Sequence, residues 1–155
     1  MKKITFILLA FTLVGTAFVS CKKDEDTSVK AVGTASADLK IGSAASVAWV
    51  ATSATAVKSG TSYTITATNT TGTLVLKLDN VSAAGTYTLT TATRSGSFAT
   101  GGKTYATTNN GGGNVIITAI ASDKIEGTFL CEMFDGTATG AIYASLSSGK
   151  FSATF

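Results

Sequence analysis

The feature that most constrains this chain is a period-two alternation of apolar and hydroxyl residues. Its clearest run is Tyr63-Thr64-Ile65-Thr66-Ala67-Thr68. On a helix these apolar groups would scatter around the cylinder. On a strand they fall on one face and the threonines on the other. Gly85-Thr86-Tyr87-Thr88-Leu89-Thr90 repeats the pattern. Leu74-Val75-Leu76-Lys77-Leu78 follows the first run after Asn69-Thr70-Thr71-Gly72, which predicts a hairpin. Val115 to Ile120 is apolar enough for a central strand, and Ser122-Asp123 turns it into Lys124-Ile125-Glu126-Gly127-Thr128-Phe129. Asp135-Gly136 is a turn signal, because both residues tolerate positive φ. Ala141–Leu146 and Lys150–Phe155 are expected to pair around Ser147-Ser148-Gly149. Ala45 to Ala51 supplies an early strand.

No helical periodicity appears after residue 30, and proline is absent. Short strands at regular spacing predict a single all-β domain, an antiparallel β-sandwich or a small β-barrel. Its expected core is Trp49, Tyr63, Ile65, Leu76, Leu89, Ile117, Phe129 and Phe151. The stretch from Thr93 to Gly113, with Asn109-Asn110-Gly111-Gly112-Gly113, reads as a long mobile excursion between strands.

The N-terminus follows other rules. Met1-Lys2-Lys3 precedes Ile4 to Val19, which carries no charge. A basic start, an apolar core and small residues make a secretory signal, and the run is short of the roughly 20 apolar residues of a membrane-spanning helix. Phe18-Val19-Ser20-Cys21 resembles the lipobox of bacterial lipoproteins, with Phe18 where Leu is usual. The resemblance implies diacylglycerol on the Cys21 thiol and cleavage before it. Lys23-Asp24-Glu25 resembles the surface-export tag of Bacteroidetes lipoproteins. The expected organisation is a cleaved signal at 1–20, a lipidated charged tether at 21–36 and the β-domain at 37–155. The expected location is the outer membrane, lipid-anchored and exposed at the cell surface.

Charge then limits the partners. Removing Lys2 and Lys3 leaves ten basic residues against nine acidic ones, scattered rather than clustered. Nucleic-acid binding needs clustered cations to neutralise phosphates, so it is not expected. The chain has two cysteines. With Cys21 lipidated, Cys131 stands alone in Phe129-Leu130-Cys131-Glu132-Met133-Phe134 and is expected to be a small core residue.

The stretch from Trp49 to Phe155 looks like an uncharacterised family of small all-β lipoproteins of Bacteroidetes type. The likeness is carried by Gly85-Thr86-Tyr87-Thr88-Leu89, Val115-Ile116-Ile117-Thr118, Lys124 to Phe129 and Ser148-Gly149-Lys150-Phe151. It implies fold and location only, since that family has no assigned activity.

Catalytic chemistry finds little to work with. Histidine is absent, which removes Ser-His-Asp and Cys-His catalysis and the commonest metal ligand. Asp38, Asp79, Asp123, Glu126, Glu132 and Asp135 remain. Glu126 and Glu132 share a strand face roughly 20 Å apart, too far for a glycosidase pair. No catalytic residue, metal site or cofactor is expected, and the only site residues are Cys21 for the lipid and Lys23, Asp24 and Glu25 for export. The expected role is a non-catalytic binding or structural module, whose ligand could be a glycan or a protein. The alternative is a hydrolase-type enzyme with an unrecognised carboxylate site.

Overall fold

The structure is a computed structural model, and it describes residues 32–136 and 143–155. The described residues form eleven strands: β1 (Thr34–Ile41), β2 (Val47–Val50), β3 (Ser53–Ser59), β4 (Ser62–Asn69), β5 (Gly72–Leu78), β6 (Gly85–Thr88), β7 (Ser95–Thr100), β8 (Lys103–Ala106), β9 (Gly112–Ile120), β10 (Lys124–Phe134) and β11 (Tyr143–Thr154). They belong to one sheet, ordered β2-β1-β11-β3-β4-β5-β7-β8-β10-β9-β6, and β11 also pairs with β10. That extra pairing closes the ribbon into a ring.

The ring is narrow at two seams. β11 meets β3 only at Thr154↔Thr55, in parallel, and β10 meets β8 only at Phe134↔Ala106. The molecule is thus a flattened barrel with two layers. The first layer runs β2-β1-β11-β10-β9-β6 and the second β3-β4-β5-β7-β8. This satisfies both halves of the expectation: the layers pack like a sandwich, and the seams close them like a barrel.

The alternation explains why the layers adhere. Tyr63, Ile65 and Ala67 on β4 are buried, as are Leu74, Leu76 and Leu78 on β5, while the residues between them face outward. All eight expected core residues are buried. Trp49 on β2 meets Phe98 on β7 edge-to-face, with ring centroids 5.7 Å apart, so the layers contact through aromatic rings. The Trp49 indole N–H has no hydrogen-bond partner among the described residues, so packing alone holds the ring there.

Several expectations are corrected. Thr93 to Gly113 is not a mobile excursion. It contains the hairpin β7–β8, which buries Phe98 and Tyr105. Thr107 ties this hairpin back: its Oγ1 accepts from the Gly96 amide at 3.0 Å, and its own amide donates to the Gly96 carbonyl at 2.9 Å. Val115 to Ile120 is an interior strand as expected, with β10 on one side and β6 on the other, although Ile116 faces solvent. The sheet also begins earlier than the sequence reading places it: β1 takes in Thr34 to Ser36, and Ala35 is buried.

Ser147-Ser148-Gly149 is a bulge, not a turn. β11 runs unbroken through it with Ser148 at φ 53°. Both neighbours register one extra β11 residue there: Phe129↔Gly149 steps to Cys131↔Leu146 on one side, and Ser36↔Lys150 to Asp38↔Ser147 on the other. The bulge lets a long strand bend with the barrel wall. It also seats Gly149 beneath Phe129, whose ring lies 2.6 Å from where a Cβ would stand. Gly127 sits beneath Phe151 in the same way. The two glycines and two phenylalanines form adjacent cross-strand pairs in which each ring covers bare backbone.

Candidate functional surface

The lipidation and export residues, Cys21, Lys23, Asp24 and Glu25, lie outside the described residues. The chemistry-bearing side chains that can be placed are Cys131 and the carboxylates. Cys131 is fully buried on β10, and burial pushes its thiol up to about 12. A thiol at that value carries almost no thiolate at neutral pH, so it packs as an apolar residue.

The carboxylates do not converge. Glu126 accepts from the Lys124 ammonium and from the Ser152 hydroxyl, each at 3.0 Å. Its pKa is lowered, first by the Lys124 hydrogen bond and then by that from Ser152. Asp135 lies 3.7 Å from the Lys103 ammonium. Glu132 is exposed on β10, six residues from Glu126 along the same strand. Among the described residues no group of three or more Cys, Asp or Glu side chains is placed to hold a metal ion.

The aromatic side chains are spoken for. Trp49 and Tyr105 are core residues. The Tyr87 hydroxyl donates to the Ala83 carbonyl at 2.7 Å, and the Arg94 guanidinium covers its ring at 5.2 Å. Lys58 stands over both Tyr63 and Phe155. Tyr143 has Phe134 beside it and Lys40 over its ring. The described residues form several shallow grooves, and two of them lie at turns. One, of about 450 Å³, lies between the β3–β4 turn and the Val81–Ala84 segment. The other, of about 500 Å³, lies between the tips of the β4–β5 and β7–β8 hairpins. In the second, Thr100 Oγ1 donates to the Thr71 carbonyl at 2.6 Å, and Asn69 Oδ1 accepts from the Thr71 amide, the Thr71 hydroxyl and the Gly72 amide. Those polar groups serve the turns themselves.

What distinguishes this molecule is the contrast between its two outer faces. Strand registers align the outward residues of the second layer into rows: Ser53–Thr68–Thr73–Ala99–Thr104, Thr55–Thr66–Val75–Ser97–Ala106 and Val57–Thr64–Lys77–Ser95. These rows contain hydroxyl and methyl groups, no carboxylate, no aromatic and one cation, Lys77. The outer face of the first layer carries Asp38, Lys40, Lys124, Glu126, Glu132 and Lys150. A solvated surface normally intersperses both signs of charge, so a five-strand face without them is the candidate functional surface. Of the two alternating runs named in the sequence, Tyr63–Thr68 gives Thr64, Thr66 and Thr68 to this face, and Gly85–Thr90 begins on β6 in the other layer.

No curated protein and no solved structure matches this chain. A family model does match, over residues 41–153, which span every strand except most of β1 and the last residue of β11. The chain therefore belongs to the family defined by a domain of unknown function, DUF6252.

Proposed function

We propose that this chain is a lipid-anchored lipoprotein of the outer membrane, exposed at the cell surface, whose β-domain is a non-catalytic binding or structural module. One observation carries the reading. The uncharged run from Ile4 to Val19 closes on Ser20-Cys21, and one of only two cysteines in the chain falls where a lipidated residue belongs. Anchoring by a single acyl chain is marginal, at about 0.8 kcal/mol per buried methylene. A bacterial lipoprotein carries more than one chain, which makes attachment effectively permanent. Lys23-Asp24-Glu25 supports display on the outer leaflet. The hydroxyl-rich second-layer face and the dispersed carboxylates support a contact surface rather than a reaction centre.

Two measurements test this. Cys21→Ser should abolish palmitate labelling and remove the protein from the membrane fraction; a variant that still labels refutes the anchor. Replacing Lys23, Asp24 and Glu25 with alanine should leave labelling intact but protect the domain from protease added to whole cells. Equal protease access in wild type and variant refutes the export role of these three residues.

A further inference from the structure

We propose that the hydroxyl-rich outer face of the second layer lies against the bilayer that holds the anchor. This rests on the lipid-anchor reading and adds the surface through which the domain touches its membrane.

The first support is where the chain enters the fold. The antiparallel bridge Gly33↔Ala54 brings the incoming chain onto β3, the border strand of this face. That bridge sets Val32 opposite Thr55, one diagonal step from Val57. Val32 and Val57 are 60% and 70% exposed, so two of the most solvent-exposed apolar side chains flank the point where the tether joins.

The second support is charge. Anionic lipid headgroups repel carboxylates. The three rows of the second-layer face offer none, with Asp79 just past the end of β5 at their rim, and their one charged side chain, Lys77, has the attractive sign. The first-layer face would bring Asp38, Glu126 and Glu132 against the same phosphates, with Lys40, Lys124 and Lys150 only balancing them, so it has no net attraction. Methyl and hydroxyl groups such as those of Thr55, Thr66 and Val75 suit the boundary between headgroup and acyl chain, where a surface must be partly apolar and still hydrogen-bond.

The third support is reach. Lys22 to Gly33 is twelve residues, which span at most about 40 Å when fully extended. A domain of this size is about 35 Å across. The flank bearing the tether is thus confined to the neighbourhood of the bilayer, at an effective concentration that populates even a weak contact.

The test uses the lipidated protein in vesicles of phosphatidylethanolamine and phosphatidylglycerol. Thr66→Cys places a thiol in the centre of the face, and Ser145→Cys places one on the opposite layer. Cys21 is blocked by its lipid and Cys131 is buried, so a fluorescent thiol label attaches only to the introduced residue. The label at 66 should be quenched by spin-labelled lipid and shielded severalfold from aqueous iodide, and the label at 145 should show the reverse. Adding Val57→Asp to Thr66→Cys should restore iodide access without altering strand circular dichroism. Equal iodide access at 66 and 145 on vesicles overturns the proposal. So does shielding of 66 on whole cells but not on vesicles, which would assign the face to an envelope glycan or protein. Failure of the anchor reading is separate, because a protein without lipid on Cys21 would not enter the vesicles at all.

Discussion

Phe98 offers the sharpest test of how this fold is held together, because sequence and structure assign it opposite roles. As part of a surface excursion, its truncation would cost little; surface substitutions usually stay within about 0.5 kcal/mol. In the structure Phe98 is fully buried on β7 and meets Trp49 across the barrel at 5.7 Å and 88°. Phe98→Ala removes that ring and leaves a cavity that β-layers bridged by seams cannot readily collapse. The expected loss is about 3–5 kcal/mol, of which the edge-to-face pairing supplies roughly 0.5–1.5. With a urea slope of about 1–3 kcal/mol/M, the unfolding midpoint should fall by about 2 M. Trp49 is the only tryptophan, so its emission reports this site directly. The variant should show native emission shifted to the red and a lower midpoint. A loss below about 0.5 kcal/mol with unchanged emission would refute the packing between layers.

Other consequences are more local. Gly149→Ala puts a Cβ 2.6 Å from the Phe129 ring and should cost about 1–3 kcal/mol, read from the urea midpoint; Phe129→Leu in the same background should recover part of it. Cys131 should resist thiol reagents at pH 8 until denaturant opens the barrel, and fast labelling of the native protein would contradict its burial and its raised pKa of about 12. Glu126 has a lowered pKa when folded, so its stabilising contribution is present above its ordinary value of 4.5 and is lost as pH falls through the folded value. The Glu126→Gln variant should therefore show a flatter decline of urea midpoint below that pH than wild type. An identical decline would mean that the contacts to Lys124 and Ser152 contribute nothing.

The legible parts of this fold are those written in local alternation. Tyr63 to Thr68 shows its inward and outward sets directly, and the Asn69-Thr70-Thr71-Gly72 turn follows from the ability of Asn69 to accept three local donors. The β7–β8 hairpin was hidden because its strands are short and hold small residues: Ser95-Gly96-Ser97 before Phe98 resembles a loop in composition. Its glycine serves packing instead. A Cβ on Gly96 would stand 3.0 Å from the Cys131 sulfur in the opposite layer, so a side chain there would push its neighbours aside by a few tenths of an ångström. The Ser147-Ser148-Gly149 bulge was hidden for a related reason. A bulge and a hairpin turn both use a residue at positive φ, and only the partner strands decide between them. The hydroxyl-rich face was least visible of all. Its rows join residues from strands far apart in the chain, and cross-strand register is a tertiary property that no window of sequence contains.

The same registers bear on how the sheet edges of this domain are covered. An open sheet edge invites another chain to pair with it. The ring closes over the edges of β3 and β8 only at the seam pairs Thr154↔Thr55 and Phe134↔Ala106 and the bridge Gly33↔Ala54, and the end strands of the first layer, β2 and β6, are four residues long each. β2 is further guarded. Its Val50 carbonyl accepts from the Asn69 side-chain amide at 2.8 Å, so the position where pairing would extend is already occupied. Asn69 thus joins two tasks, with its oxygen ordering the β4–β5 turn and its nitrogen sealing the edge of the other layer. With its edges spent in this way, the domain has its broad outer faces left for contact. Of these, the second-layer face borders the point where Gly33 bridges to Ala54, and the first-layer face carries the carboxylates.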